Sequence, residues 1–540
     1  MRLSLALAIA ASLLPATAVA QSAARNAIVP PDRADQRPAA RPGRGRAVAQ
    51  LPRQRAAAPI RAFTLNDVII EGSTLPAADL TPAYSRFLGT TVDATQIQAI
   101  VDALGQIYGR SDVALYTVLA PQQSYAGGVL RLSAVEGYVE SAVVRGAGSK
   151  MRRLVGRYIA PLMQEKPLRK HSLQRYVSLI RDVPGLNPVV DFERGGRPGA
   201  VKLVVVAKPR PFQVAFGLND RGTALLGKTQ GQIDGFANSL LFGGDQLRLS
   251  YARPIRAPYY QSASIAYAVP LNADGLTLQV NAGKLRTRPR DLPLKGSATS
   301  AGGQISYAAI RSFNTNLVVS AGIDGVNSDN AFLGFTFSNE RTRAMRFAAS
   351  FTLSSDTNQL TASATQSFGL DAFGARVLDP TVSDLGFRKT NLRLADNQLV
   401  GKIMVLRLNG SAQFTHDRLP STEQFTLGGD EFGRAYETAL ISGDTGYAGS
   451  AELALHPTKL PPGLNGSETY LFVDGGRVRY RSRNGFASSE SRLGSWGGGA
   501  RIAVLNRAIF QIEAARGFNN PVFYEDRKKW RVILSLRTII

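Results

Sequence analysis

The 540-residue chain contains no cysteine, which removes disulfide frameworks and thiolate chemistry from consideration. Its three histidines, His171, His416 and His456, are too far apart to set a metal-ligand spacing or a His-based triad. They read as plain surface or turn residues. Long apolar runs are also scarce. Leu3 to Leu14 is apolar but too short for a spanning helix, and nothing after it reaches that length. A chain of this kind crosses a membrane only as a closed barrel, because helices and closed barrels alone satisfy every backbone polar group in lipid. No G-x-x-x-x-G-K-[ST] phosphate loop is present. No catalytic residue, metal or cofactor is expected, and the protein does not read as an enzyme.

The N-terminus supplies a positive start, Met1-Arg2, an apolar stretch, and Ala18-Val19-Ala20 before Gln21. Residues 1–20 therefore read as a secretory signal peptide. The net charge is +24 and the isoelectric point about 10.4. The basic residues do not gather around a reader motif, so nucleic acid is not the expected partner. A lipopolysaccharide surface, or a polar lumen crossed by a polypeptide, accounts for the excess as well. Residues 21–60 are rich in Ala, Pro, Arg and Gln and lack aromatics. They cannot bury enough surface to offset their ordering entropy and read as a disordered basic tail or linker.

Residues 61–136 predict a β-α-α-β-β module. Phe63 to Glu71 is strand-like, and Leu80, Tyr84, Phe87 and Leu88 fall on one face of a short helix. Asp93 or Thr91 caps a second helix with an apolar stripe of Ile97, Ile100, Leu104 and Ile107. Ala114 to Leu119 and Gly128 to Glu136 are strands, joined through Pro121-Gln122-Gln123. The same order repeats over 137–208, with helices over Lys150 to Met163 and around Leu173, Tyr176, Val177 and Ile180.

From 209 to 540 the period changes to two. Met345, Phe347, Ala349, Phe351 and Leu353 alternate with Arg346, Ser350 and Thr352; Phe510, Ile512 and Ala514 alternate with Gln511, Glu513 and Ala515. One apolar and one polar face per strand is the transmembrane barrel pattern, and Arg346 and Gln511 are expected to face the lumen. The stretch holds roughly sixteen antiparallel strands at about twenty residues per strand and connection.

Within it, LGGDEFGRAYETALISGDTGYAGSAEL (427–453) is Gly-rich and places Arg434 in the middle of a long loop. YLFVDGGRV (470–478) is a strand with one carboxylate, Asp474, among apolar residues. A carboxylate in a barrel wall must face the lumen. A loop arginine and a lumen carboxylate together predict a loop folded into the pore and held there, with Asp474 a suitable bidentate acceptor for the Arg434 guanidinium.

With these pieces in place, residues 61–540 resemble the two-partner secretion transporters, the ShlB/FhaC/HecB haemolysin secretion and activation family of the BamA superfamily. The first module resembles a ShlB-type POTRA domain through Val68 to Gly72, Tyr108, Leu119 to Gln123, Gly128 to Leu130 and Val135 to Gly137. The second resembles another POTRA domain. In that family an extracellular loop between the eleventh and twelfth strands folds into the pore with a Val-Arg-Gly-Tyr tip, and the strand after it carries Phe-x-Asp-x-Gly. Arg434 and Tyr436 match the tip, and Phe472, Asp474 and Gly476 match the strand. Gly433 and Ala435 stand where the motif has Val and Gly, and the loss of that glycine matters wherever the backbone needs positive φ.

The resemblance implies an outer-membrane pore of a Gram-negative bacterium, with its POTRA domains in the periplasm. These would recognise an unfolded, large β-helical exoprotein (adhesin, haemolysin or toxin) by strand addition, with Pro121, Gln122 and Gln123 as candidate contacts. Outer-membrane lipid, lipopolysaccharide and the barrel assembly machinery are the other implied partners. The alternative reading is a BamA-like factor that inserts other barrels. A passive porin has no need of two periplasmic modules.

Overall fold

The computed structural model describes residues 61–256, 258–332, 335–483, 487–505, 507–519 and 530–540, with the side chains of 332 and 335–337 left aside. The expected signal peptide and basic tail lie outside the described residues.

In the first module the strand expected over Phe63 to Glu71 divides in two. Phe63–Thr64 pairs with Thr91–Val92, while Asp67–Glu71 runs parallel to Val129–Glu136. The division falls at Leu65 and Asn66, where the backbone donates first to Thr90 and then to Gly128. Tyr116–Leu119 closes the sheet on the other side of Val129–Glu136. Ala114, expected in that strand, instead donates its N–H to the Leu168 carbonyl of the second module. The short helix is also broken, into Ala77–Leu80 and two single turns, and Leu88 ends exposed. Pro82 in the first of those turns has no N–H to continue the α-helical ladder.

Helix α1 (Ala94–Arg110) forms as its pattern requires. Asp93 and Gln96 make a reciprocal capping box. Ile97, Ile100, Leu104 and Tyr108 fill the core. Burial pushes the Tyr108 phenol above its ordinary value; its hydroxyl bonds Ser73 and Glu136, and the Glu136 carboxylate raises it further. Glu136 in turn accepts from the backbone and hydroxyl of Thr74, so one network ties α1 to Val129–Glu136 and to the segment that follows Asp67–Glu71.

The second module holds α2 (Ser149–Gln164) and α3 (Lys170–Asp182) against a sheet in which Ala200–Ala207 lies between Tyr138–Arg145 and Pro188–Arg194. It stands directly on the barrel. Arg175 on α3 bonds the Asp274 carboxylate at 2.7 Å and its carbonyl at 2.8 Å. Arg311 forks onto Asp182 with two bonds of 2.6 Å. Both barrel residues lie at the end of the cylinder from which the chain enters.

The barrel closes with sixteen strands, from β1 (Phe212–Asn219) to β16 (Arg531–Ile539), every neighbour antiparallel and β16 paired back to β1. Leu471, Val473, Val532 and Leu534 point outward and are exposed, as strand-facing lipid requires. Alternate positions point inward, including Arg346 and Gln511, as expected from the period.

Candidate functional site

The chain between β11 (Met404–Thr415) and β12 (Thr445–Leu455) is long, and it leaves the barrel at the end opposite the modules. It turns back into the lumen. A short hairpin, Phe425–Leu427 against Ile441–Gly443, carries it down, and residues 428–440 form the tip. Phe425, Leu427, Phe432, Ala435 and Tyr436 pack with Phe472, Val478 and Leu493 of the wall into one buried cluster. The tip turns on glycines: Gly428, Gly429 and Gly433 have φ of 108°, 110° and 79°. The positive φ falls on Gly433, not on Ala435, so the alanine is accommodated without strain.

Phe472, Asp474 and Gly476 lie on the inward face of β13 (Glu468–Tyr480). This is the second strand after the loop, not the next one. Between them stands β12, on which Glu452 lies opposite Phe472 and Ser450 opposite Asp474. The Arg434 guanidinium is buried, and its Nη1 donates to Glu452 Oε2 at 2.8 Å and to Glu513 Oε2 on β15 (Ala508–Gly517) at 3.3 Å. Its Nε lies 3.8 Å from Asp474 Oδ2, an ion pair without a hydrogen bond. The expected bidentate grip by Asp474 is therefore replaced. Asp474 instead accepts the backbone N–H of Gly433 at 2.8 Å and of Arg434 at 3.3 Å, and the Ser495 hydroxyl at 2.6 Å. The physical reason is reach: the loop backbone comes so close to β13 that the carboxylate meets main chain before it meets the guanidinium.

The neighbours complete the fit. The Arg434 guanidinium carbon lies 4.3 Å from the centre of the Phe472 ring. The fully buried Tyr436 donates its hydroxyl to the Gly494 carbonyl at 3.1 Å, and its own carbonyl accepts from Arg531. At Gly476 a Cβ would come 2.6 Å from the Tyr447 carbonyl oxygen and 2.9 Å from Leu427, so only glycine lets the hairpin lie flat on this wall.

Glu452, Glu513 and the cations around them did not stand out in the sequence as partners of Arg434. Arg501 and Arg407 both bond Glu452 and Glu468, and Arg221 bonds Glu513 at 2.8 Å. His456 faces Glu468 at 3.0 Å and is mostly covered, unlike the surface residue expected. The signal available was the polar phase of the strands, on which Glu452 and Glu513 sit among apolar neighbours.

Pro121, Gln122 and Gln123 are far from this site, in the first module. Pro121 and Gln122 are exposed. The Gln123 amide accepts from Arg131 N at 2.8 Å and donates to Arg131 O at 2.6 Å. It thus occupies the ladder position on Val129–Glu136 just beyond the end of Tyr116–Leu119.

Residues 199–502 match the family model for the haemolysin secretion/activation protein ShlB/FhaC/HecB, and residues 63–137 match the ShlB-type POTRA domain. The chain is 19% identical over 474 residues to the heme/hemopexin transporter protein HuxB of Haemophilus influenzae (strain 86-028NP), covering 84% of this chain and 82% of that one. It is 21% identical over 486 residues to the outer membrane transporter CdiB of Escherichia coli, covering 82% and 77%. The solved structure of CdiB from Escherichia coli superposes with a TM-score of 0.71 at 18% identity, over 91% of this chain and 94% of that one. The plugged sixteen-stranded cylinder with modules at its periplasmic end thus belongs to the haemolysin secretion/activation family ShlB/FhaC/HecB: an outer-membrane pore that translocates a partner exoprotein by two-partner secretion.

Proposed function

We propose that the inward loop, 416–444, is the gate of this pore, and that Arg434 with Glu452, Asp474 and Glu513 is the latch that holds it shut. The observation that carries the reading is a buried guanidinium from a loop set among three wall carboxylates. A cation so placed is costly to strand, because removing one member of a buried pair leaves an uncompensated charge. Yet the grip on the guanidinium is uneven: its Nε lies 3.8 Å from Asp474 Oδ2, beyond hydrogen-bond distance. That unevenness favours a latch built to release.

The substrate in this reading is a large secreted β-helical exoprotein, delivered unfolded. The strand edge at Arg131 supports capture by the first module. An extended segment that displaced the Gln123 amide would gain the backbone pairing the amide now supplies. The outward apolar faces would meet outer-membrane lipid and lipopolysaccharide, and the barrel assembly machinery would insert the cylinder.

Arg434→Ala is expected to abolish export of the partner while the barrel remains inserted, read by partner in the medium and by heat-modifiable gel mobility. Asp474→Ala frees the Gly433 and Arg434 amides and is expected to alter channel conductance in a planar bilayer. Normal export from the first variant together with an unchanged current trace from the second would refute the latch.

A further inference from the structure

The loop carries a second charge into the lumen, at a distance along the chain from Arg434. Its descending arm makes a single turn at Ser421–Glu423, and Glu423 is buried there. The Glu423 carboxylate meets Arg346 Nη2 at 2.8 Å and Lys389 Nζ at 2.7 Å. Arg346 and Lys389 stand on the inward faces of β8 (Phe335–Ser354) and β10 (Arg388–Val400). Arg346 is shared with Asp324 on β7 (Thr315–Phe332), at 2.9 Å through Nη2. The Glu423 carbonyl is also held, by Lys389 at 2.8 Å and by Gln413 of β11 at 3.1 Å. Ser421 bonds Glu340, and the Thr422 hydroxyl lies 3.3 Å from that of Thr342, both on β8.

The loop is therefore fastened to two separate stretches of wall by charges of opposite sign. Its anion is held by cations on β8 and β10, its cation by carboxylates on β12, β13 and β15. The loop supplies each wall with a counter-charge. On the first, Arg346 and Lys389 face Asp324 and Glu423. On the second, Arg221, Arg407, Arg434 and Arg501 face Glu452, Glu468, Asp474 and Glu513. Withdrawal of the loop takes a counter-charge from Arg346 and Lys389 on one wall and from Glu452, Asp474 and Glu513 on the other. In a narrow lumen such charges are screened less than at a surface.

We propose that Glu423 is a second, independent tether of the plug: a positioning residue that holds the loop's arm to the β8–β10 wall through Arg346 and Lys389, so that the pore opens only when both tethers let go. This rests on the reading of the loop as the gate.

The test is single-channel recording of the full-length protein in planar bilayers. Glu423→Gln keeps the shape and removes the charge. It is expected to raise the frequency of open states about tenfold, the equilibrium effect of weakening one hydrogen-bonded charge. Lys389→Gln, a wall substitution, should move the same way. Glu423→Asp should fall between Glu423→Gln and the parent. Glu423→Gln combined with Arg434→Ala should open the channel more often than Arg434→Ala alone. If both Gln variants match the parent, and the double variant matches Arg434→Ala, Glu423 is no tether. If Arg434→Ala is itself silent, the gate reading fails first, and the two failures are distinct. A variant that does not insert is read through the other, since Glu423 and Lys389 lie on opposite sides of one contact.

Discussion

The periplasmic modules and the barrel are folded by opposite uses of the same residues. In the modules apolar side chains turn inward: Ile100, Leu104, Leu130, Leu162 and Leu203 have no exposed surface. In the barrel they turn outward, and Leu471 is 70% exposed, while Glu513 in the lumen has none. Water drives the first arrangement, since removing apolar surface from it contributes about 25 cal/mol per Å². Lipid tails are as apolar as leucine, so that drive is absent around the barrel wall. There the ladder satisfies the backbone, and the lumen is organised by ion pairs and hydrogen bonds. The difference teaches where function is placed. An apolar core holds one shape, whereas a network of paired charges has partners that can be exchanged, which suits the gate proposed for the loop.

The comparison is broken most severely by removing one side of it. Deletion of residues 61–208 is expected to eliminate export altogether while bilayer recordings still show a conducting barrel. Loss of conductance would mean the modules also hold the cylinder together. Next comes the lumen. Glu513→Gln deprives both Arg434 and Arg221 of a counter-charge, and breaking a buried pair of this kind costs about 3–5 kcal/mol. The expected result is frequent channel opening with the heat-modifiable mobility of the barrel intact.

In the modules the matching experiment is a cavity. Leu104→Ala should lower the stability of the first module by about 2–5 kcal/mol, read as a shift in its thermal melting with no change in channel current. If the current changed as well, the two regions would not be as separate as their chemistry suggests.

The smallest effect is expected where the regions meet. Burial raises the Asp274 carboxyl, but the hydrogen bonds from Arg175 and Tyr307 outweigh it and hold the group below its ordinary value. A depressed carboxylate contributes stability above the ordinary pKa and loses it as pH falls through the lowered one. The second module should therefore stay docked at neutral pH and loosen only below about pH 4. Spin-label distances between α3 and the turn at Asp274 would read this, and Asp274→Asn should remove the pH response.

Much of this architecture was legible in the sequence because its causes are local. The pleat forces alternate side chains to opposite faces, so a period of two over Met345 to Leu353 or Phe510 to Ala515 already separates lipid from lumen. Asp93 with Gln96, ahead of an apolar stripe, already begins a helix. Leu65, Pro82 and Ala114 show where such reasoning ends, since each was claimed by a contact or a missing donor that periodicity does not register.

By itself the chain determined that a cylinder forms, that Arg434 lies on a loop tip, and that Asp474 faces inward, with Glu513 on the polar phase of its strand. Only the tertiary structure decided which of those carboxylates holds the guanidinium and which holds the main chain. That choice depends on the stagger of β12, β13 and β15 around the ring and on how closely the loop backbone approaches the wall. Distances between strands that are not neighbours in sequence are set by closure of the barrel, and no local pattern encodes them.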